Sequence, residues 1–241
     1  NYSGWQTQPD ATTVQETIEQ ALTLVARSPE PIAILGAGRT DAGVHARGMV
    51  AHVDLPMSPD EARQLIYRTD RYLPHDIALY DIRPVREEAH ARFSATSRTY
   101  RYYVTLRKDP FQEARMLRLY FPLDFDRMNE AAGRLKDFTD FTSFSKLHTD
   151  VKTNNCRVTE AYWQAGVEDG QWIFTITADR FLRNMVRAVV GTLFQVGKGR
   201  LSVEDFCAVI EAKDRGQAGS SAPAHALYLE QVDYPEDLYL D

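Results

Sequence analysis

The segment from Gly36 to Ala46 carries the densest group of chemically useful side chains in this 241-residue sequence. It reads Gly-Ala-Gly-Arg-Thr-Asp-Ala-Gly-Val-His-Ala, so Asp41 stands among small residues and two positions after Arg39. Small neighbours let a bulky substrate approach closely, and a nearby guanidinium favours the ionised carboxylate. Such an aspartate suits nucleophilic attack on, or proton abstraction from, a sugar or a base. On spacing alone, a turn aspartate that bonds its own backbone beside a surface arginine is equally well supported.

Two phosphate-binding motifs are excluded for the same loop. A dinucleotide fingerprint that starts at Gly36 needs its third glycine at position 41, which is Asp41. A nucleoside-triphosphate loop that starts at Gly38 needs lysine and then serine or threonine after Gly43, where the sequence continues Val-His. A carboxylate in place of a phosphate-binding glycine would repel the ligand, so we interpret the loop as serving a different chemistry.

The segment Arg98–Tyr103, Arg-Thr-Tyr-Arg-Tyr-Tyr, is a second candidate. In a strand, Tyr100 and Tyr102 share one face and Arg101 lies on the other. Aromatic rings interleaved with arginines suit stacking on unpaired bases while phosphates are held. A strand that uses tyrosines for packing is the commoner explanation. By itself this run is a weak signal for RNA binding. We interpret His45 as a structural rather than a catalytic histidine.

A third candidate is the window from Arg180 to Arg200, which holds five cations and no acid. Apolar residues recur at helical intervals through this window, which predicts a helix over 180–196. On such a helix Arg180, Arg183 and Arg187 share one face. A solvated face usually mixes signs, so this one favours an anionic partner, or a carboxylate across a cleft, over a plain surface.

The composition limits the partner and the compartment. A net charge of −6 and a pI near 5.6 normally count against a nucleic-acid partner, but local clusters of charge matter more than the sum. The two cysteines, Cys156 and Cys207, are too few for a disulfide scaffold or a tetrahedral zinc site. No apolar run approaches the ~18 residues of a membrane span, and no charged-then-apolar leader is present. We expect a cytoplasmic protein that does not enter a membrane.

Hydrophobic periodicity predicts an α+β fold with largely antiparallel sheets flanked by helices. Capping patterns at Thr13 and Ser58 predict two helix starts. Further helices are predicted at 125–135 and from Val203, strands at 32–35, 49–55, 77–82, 99–106 and 227–234, and a hairpin over 162–177. We place a domain boundary in the polar segment 83–95. This gives an N-terminal catalytic part, 1–88, with the Asp41 loop, and a C-terminal part, 89–241, with the Tyr100 strand and the Arg187 helix.

Several segments of the sequence occur together in a recognisable combination. They are Tyr2–Gln6 (Tyr-Ser-Gly-Trp-Gln), Gly38–Ala46, Ala91–Ala95 leading into Arg98–Tyr102, Phe181–Arg187 before Gly191, and Ala222–His225. This combination resembles the tRNA pseudouridine synthase I (TruA) family over essentially the whole chain. The resemblance implies two similar subdomains that form a continuous sheet around a central basic cleft. It also implies a homodimer that binds tRNA.

The resemblance further implies an isomerase that converts uridine to pseudouridine at tRNA positions 38–40, in the anticodon stem-loop, with base flipping and without cofactor or metal. It assigns Asp41 as the essential aspartate, Arg39 as its partner and Tyr100 as the ring that stacks on the target base. Arg187 becomes the basic residue that pairs with Asp41. With Tyr100, four further residues become candidate RNA contacts, namely Arg180, Arg183, Arg101 and His45.

Two alternatives remain open at this point. The first is a non-catalytic tRNA-binding protein, for which the basic segments and tyrosines would suffice. The presence of Asp41 and Arg39 argues against it, because an RNA binder gains nothing from a carboxylate in its cleft. The second is a related synthase that acts on a different RNA.

Overall fold

The computed structural model describes residues 1–146 and 153–240. The helices in these residues are α1 (Val14–Ala26), α2 (Pro59–Tyr72), α3 (Phe125–Arg134), α4 (Met185–Gly197) and α5 (Val203–Glu211). The strands are β1 (Leu35–Gly36), β2 (His45–Ala46), β3 (Ala51–His52), β4 (Ser97–Thr105), β5 (Leu117–Arg118), β6 (Val158–Ala165), β7 (Gln171–Ala178) and β8 (Leu227–Asp233). None of the helices in these two ranges has the length and apolar character that crossing a bilayer requires.

The strands of the described residues form two sheets. A two-stranded sheet pairs β1 with β3, and a six-stranded sheet has the order β2-β8-β4-β7-β6, with β5 beside the end of β4. The long pairs β4–β7 and β6–β7 are antiparallel, whereas β2–β8 and β4–β5 are parallel. The predicted α+β class with largely antiparallel sheets is confirmed. The single continuous sheet is not formed by the described residues.

The chain divides into two compact units, each built from segments that are not continuous in the sequence. Unit 1 comprises Asn1–Gly43, Met49–Thr96 and Asp233–Asp241, and unit 2 comprises Val44–Gly48 and Ser97–Val232. Segment 44–48 belongs to unit 2 because β2 pairs with β8. The chain returns to unit 1 after β8, where the N–H of Leu240 donates to the carbonyl of Pro84 at 3.0 Å. The boundary expected at 88/89 lies inside unit 1, and the two parts that it separates remain a proposal.

Local capping explains why α1 and α2 begin where the sequence predicts. The Thr13 hydroxyl accepts the N–H of Glu16. Ser58 and Glu61 form a complete capping box in front of α2, with Pro59 at the first helical position. These bonds satisfy N–H groups that have no partner inside the helix.

The helix predicted over 180–196 begins later than expected. Asn184 occupies the N-cap position of α4 with φ at +67°, in the left-handed region, so the helix does not extend back through it. Arg180 and Arg183 therefore lie in the loop before Met185, and their shared helical face with Arg187 was wrongly predicted. The apolar periodicity was misleading because Leu182 continues the apolar pattern and is buried, although it lies in the loop before α4.

The strand predicted over 77–82 is also absent. Ile77 and Leu79 pack against the core of unit 1, but no strand runs through this segment. The N–H of Leu79 instead donates to a carboxylate oxygen of Asp70 on α2, at 2.8 Å. This segment therefore buries alternate residues, as a strand would, although its backbone is hydrogen-bonded to a helix side chain and not to another strand.

Candidate active site

Asp41 lies half-buried in the loop that follows β1, and Arg39 is exposed in the same loop. The turn after Asp41 depends on Gly43, whose φ of +79° is unfavourable for residues with a side chain. The loop therefore combines a half-buried carboxylate and an exposed guanidinium with a backbone that turns sharply after them. The catalytic role of Asp41 remains a prediction.

The Thr40–Asp41 backbone rests directly on the N-terminal segment. Gly4 has φ +91°, and a Cβ added there would lie 2.3 Å from the carbonyl oxygen of Thr40 and 3.3 Å from the carbonyl carbon of Asp41. The next residue, Trp5, is buried, and a Cβ on Gly36 would lie 2.3 Å from its indole Nε1. The start of the candidate catalytic loop and its Thr40–Asp41 backbone therefore both pack against the Gly4–Trp5 pair.

Helix α1 holds this pair and the strand that leads into the loop. The N–H of Val14 donates to the carbonyl of Gly4 at 3.2 Å, and the N–H of Gln15 donates to that of Trp5 at 3.0 Å. The Gln15 side chain donates to the carbonyl of Ile34, also at 3.0 Å. One helical turn thus fixes the support and the entry of the loop. The sequence marked Tyr2–Gln6 only as part of the resemblance, and its supporting role became visible in the structure.

In unit 2, two hydrogen bonds join Arg187 to the segment after α5. Its Nε donates to the carbonyl of Ala222 at 2.7 Å, and the N–H of Ala222 donates to the Arg187 carbonyl at 2.9 Å. That segment lies directly on α4, because a Cβ on Gly191 would be 1.8 Å from the carbonyl oxygen of Ser220. The guanidinium of this half-buried residue is therefore fixed in orientation. Sequence analysis did not identify Gly191 as the residue that permits this approach.

Tyr100 and Tyr102 lie on β4 opposite Ile176 and Phe174 of β7. Tyr102 is fully buried and donates its hydroxyl to the carbonyl of Pro223 at 2.9 Å. Burial raises the pKa of the Tyr102 phenol, against the opposing charge of Arg187. Tyr100 is only half-buried, with the Phe181 ring edge-on at a centroid distance of 5.1 Å. Of the two rings, Tyr100 is the one with a surface left for a ligand.

The remaining candidates are dispersed over unit 2. Arg101 lies half-buried on β4, opposite Thr175 of β7. Arg180 is half-buried and Arg183 is exposed in the loop before α4. Asp179 fastens this loop, because its carboxylate accepts the N–H of Arg180 at 2.7 Å. The RNA contacts assigned to these arginines remain predictions.

His45 is built into the six-stranded sheet. Its ring stacks on that of Tyr228, with centroids 4.6 Å apart and an angle of 18° between planes. Burial lowers the pKa of the His45 imidazole, with smaller opposing effects from the backbone of His225 and Ala114. This setting agrees with the structural interpretation, and an RNA contact by His45 remains a prediction.

The His45 setting predicts a loss of stability in mild acid. Its pKa is lower in the folded chain than the unfolded value of about 6.5, so the unfolded chain binds a proton first as the pH falls. The stabilisation from the neutral ring is complete above about pH 6.5 and is lost as the pH falls through the folded pKa. We expect His45→Gln to flatten the change in free energy of unfolding between pH 7.5 and 5, measured by urea denaturation at about half-unit steps. His75→Gln, at an exposed position, should keep the wild-type profile, and an unchanged His45→Gln profile would refute the assignment.

The amino-acid sequence matches a family model and several named proteins. Residues 135–235 match a family model described as tRNA pseudouridine synthase. A tRNA pseudouridine synthase A from Porphyromonas gingivalis is 63% identical over 99% of this chain and 94% of its own length. The Parabacteroides distasonis protein of the same name is 58% identical over 99% and 93%, and that of Bacillus subtilis is 39% identical over 97% and 94%. The similarity therefore extends over nearly the full length of each protein.

Proposed function

Because the chain belongs to the tRNA pseudouridine synthase family, we propose that it isomerises uridine to pseudouridine at positions 38–40 of the tRNA anticodon stem-loop. The observation that carries the proposal is the loop in which Gly4 supports the Thr40–Asp41 backbone and so fixes one half-buried carboxylate. We extend the proposal to a homodimer that acts in the cytoplasm without a cofactor.

The reaction needs no group beyond the protein's own side chains. The bond from uracil N1 to ribose C1′ breaks, the base turns, and C5 joins C1′. The hydrogen on C5 leaves as a proton and N1 gains one, so nothing is oxidised. Asp41 can act as a nucleophile at C1′ or on the base, or as a base that removes the C2′ proton to give a glycal. Both routes require the ionised carboxylate, and Arg39 of the same loop is its proposed partner.

The target uridine must leave its stack before the carboxylate can reach the ribose. Flipping a base costs a few kcal/mol, and stacking on an aromatic side chain returns about 1–3 kcal/mol per base. Half-buried Tyr100 is the proposed stacking partner. Arg180, Arg183 and Arg101 are the proposed phosphate contacts, which supply affinity that depends on salt.

Replacing the arginines one group at a time separates binding from catalysis. We expect Arg187→Ala to lower the single-turnover rate by about 10²-fold, since it removes a fixed positive charge, while tRNA affinity stays within about threefold. The pairing of Arg187 with Asp41 remains a prediction that this variant probes.

The double variant Arg180→Ala/Arg183→Ala should instead weaken binding and lower the slope of log affinity against log salt by about 1.4–1.8.

Filter binding at several salt concentrations and single-turnover rates provide both measurements. Arg107→Ala removes a cation of unit 2 that is exposed and paired with Asp169, and it should leave both quantities near wild type. Identical binding slopes for all of these variants would show that the loop before α4 does not face RNA.

Mapping pseudouridine in treated tRNA tests the proposed function. Unmodified bulk tRNA is incubated with the protein, and each new pseudouridine is located along the chain. We expect modification at positions 38–40. Modification elsewhere would indicate a related synthase with a different target, and binding without any modification would indicate a non-catalytic tRNA-binding protein.

A further inference from the structure

Two cations of the acid-free window lie far from Arg187. Lys198 and Arg200 follow the C-terminal end of α4, whereas Arg187 lies near its N-terminal end. At a rise of about 1.5 Å per residue, α4 places Lys198 roughly 17 Å from Arg187. A nucleotide held at Arg187 cannot account for these two charges.

Lys198 and Arg200 share a surface with exposed aromatic residues from the segment after β5. The Lys198 ammonium lies 3.9 Å from the centroid of the Phe121 ring. The guanidinium of Arg118 lies over the ring of Tyr120 at 4.7 Å, and Tyr120 is 78% exposed. We call the surface formed by Arg118, Tyr120, Phe121, Lys198 and Arg200 the distal patch.

The backbone holds the two halves of the distal patch together. The N–H of Asp124 donates to the carbonyl of Gly197 at 3.0 Å. A Cβ on Gly197 would lie 2.4 Å from the sulfur of Met128 and 3.0 Å from a methyl carbon of Leu123. The segment after Phe121 therefore packs tightly on the end of α4, and the patch is a fixed feature of unit 2.

The cations of the patch form no ion pair in the part of the chain that the structure describes. Among residues 1–146 and 153–240, no ion pair joins a carboxylate to Arg118, Lys198 or Arg200. The acid nearest in sequence to Phe121 is Asp124, whose carboxylate caps α3 by accepting the N–H of Arg127. Burial and the charge of Arg200 lower the pKa of Lys198, as expected where cations lie close together.

Helix capping does not explain these cations either. Lysine and arginine near a helix C-terminus often neutralise its carbonyls. Here the Lys198 ammonium lies over the Phe121 ring, and Arg200 donates to the side-chain oxygen of Gln195 at 3.4 Å. Cations beside exposed rings are the combination that binds RNA, because phosphates meet the charges and unpaired bases stack on the rings.

We propose that the distal patch is a second tRNA-binding surface, which contacts the RNA outside the anticodon stem-loop. The inference rests on the proposed function for its ligand. A stem of five pairs is at most about 17 Å long, because even B-DNA rises only ~3.4 Å per pair, so the distance from Arg187 to the patch is at least the length of that stem. The occupant is the remainder of the tRNA, whose phosphates complement cations that form no ion pair and whose unpaired loop bases suit Tyr120.

Comparison of two RNAs tests this placement. Affinity is measured for a full-length tRNA transcript and for its isolated anticodon stem-loop, using the wild-type protein and Lys198→Ala/Arg200→Ala. For full-length tRNA we expect about tenfold weaker binding and a salt slope lower by about 1.4–1.8. For the stem-loop we expect affinity and turnover within about twofold of wild type. Tyr120→Ala should separately weaken only full-length binding, by about fivefold or more.

The control is Arg134→Ala/Lys136→Ala, which removes the same charge from exposed positions of unit 2 and should change neither RNA's affinity. Unchanged affinity and slope of the patch variant for full-length tRNA would overturn the inference. An equal loss for both RNAs would also overturn it, because the patch would then contact the anticodon arm. If the wild-type protein forms no pseudouridine in either RNA, the proposed function itself fails. If the wild-type protein forms pseudouridine but the patch variant binds full-length tRNA as tightly as the wild type does, only the inference about the patch fails.

Discussion

Asp41→Asn is expected to lower the rate of pseudouridine formation by at least about 10³-fold while tRNA affinity stays within about threefold. The carboxamide has nearly the shape of the carboxylate, but it can neither attack C1′ nor accept the C2′ proton. The contact between Gly4 and the Thr40–Asp41 backbone does not involve the changed side chain, so the loop should keep its path. Release of tritium from tRNA labelled at uridine C5, with enzyme in excess, measures the rate because isomerisation expels that hydrogen.

Asp10→Asn is the matched control for this variant. Asp10 is exposed with φ +56°, a conformation that asparagine tolerates well, so this change should affect neither rate nor affinity. Asp41→Asn protein that keeps more than about a tenth of the wild-type rate would contradict the catalytic role. Parallel losses of rate and affinity would instead indicate that Asp41 serves the structure of the loop.

Gly4→Ala is expected to reduce both stability and turnover. An added methyl group would meet the Thr40 carbonyl at 2.3 Å, and the backbone φ of +91° disfavours any side chain. Overpacking and backbone strain together should lower the free energy of unfolding by about 2–5 kcal/mol. Displacing Asp41 by about 1 Å should cost roughly 10²-fold in rate, even in the molecules that remain folded. Urea denaturation gives the first quantity, and single-turnover rates well below the melting temperature give the second.

Gly38→Ala provides the stability control within the same loop. A Cβ at Gly38 meets no atom within 4 Å, so this change should leave the free energy of unfolding within about 1 kcal/mol of wild type. Wild-type stability and rate in Gly4→Ala protein would show that the N-terminal segment does not support the loop. A comparable loss of stability in Gly38→Ala would show that the loop is sensitive to any added carbon.

Local chemistry made parts of the fold predictable from the sequence. The starts of α1 and α2 followed from Thr13 and Ser58, because capping involves residues only three positions apart. The start of α4 did not follow. The apolar periodicity extends back to Leu182, but the helix itself starts only after Asn184, which has a left-handed conformation. Segment 44–48 belongs to unit 2 because of its pairing with β8, a partner more than 180 positions away. Contacts at that separation leave no local pattern to read.

The candidate site shows the same division. Residue type and spacing singled out Asp41 and Arg39, and the resemblance assigned roles to Tyr100 and Arg187. The supports of these residues were not predictable, because Gly4 and Gly191 act through close contacts with distant backbone. A glycine in a sequence is compatible with a position that excludes a side chain, but only the folded chain identifies the atom that excludes it.

The most direct measurement of the central claim is a crystal structure of Asp41→Asn protein bound to an anticodon stem-loop RNA. We predict that one uridine at positions 38–40 lies outside its stack, with the residue 41 carboxamide about 3–3.5 Å from ribose C1′ or C2′. A fully stacked stem-loop, or a residue 41 side chain more than one nucleotide away from every ribose, would contradict the account.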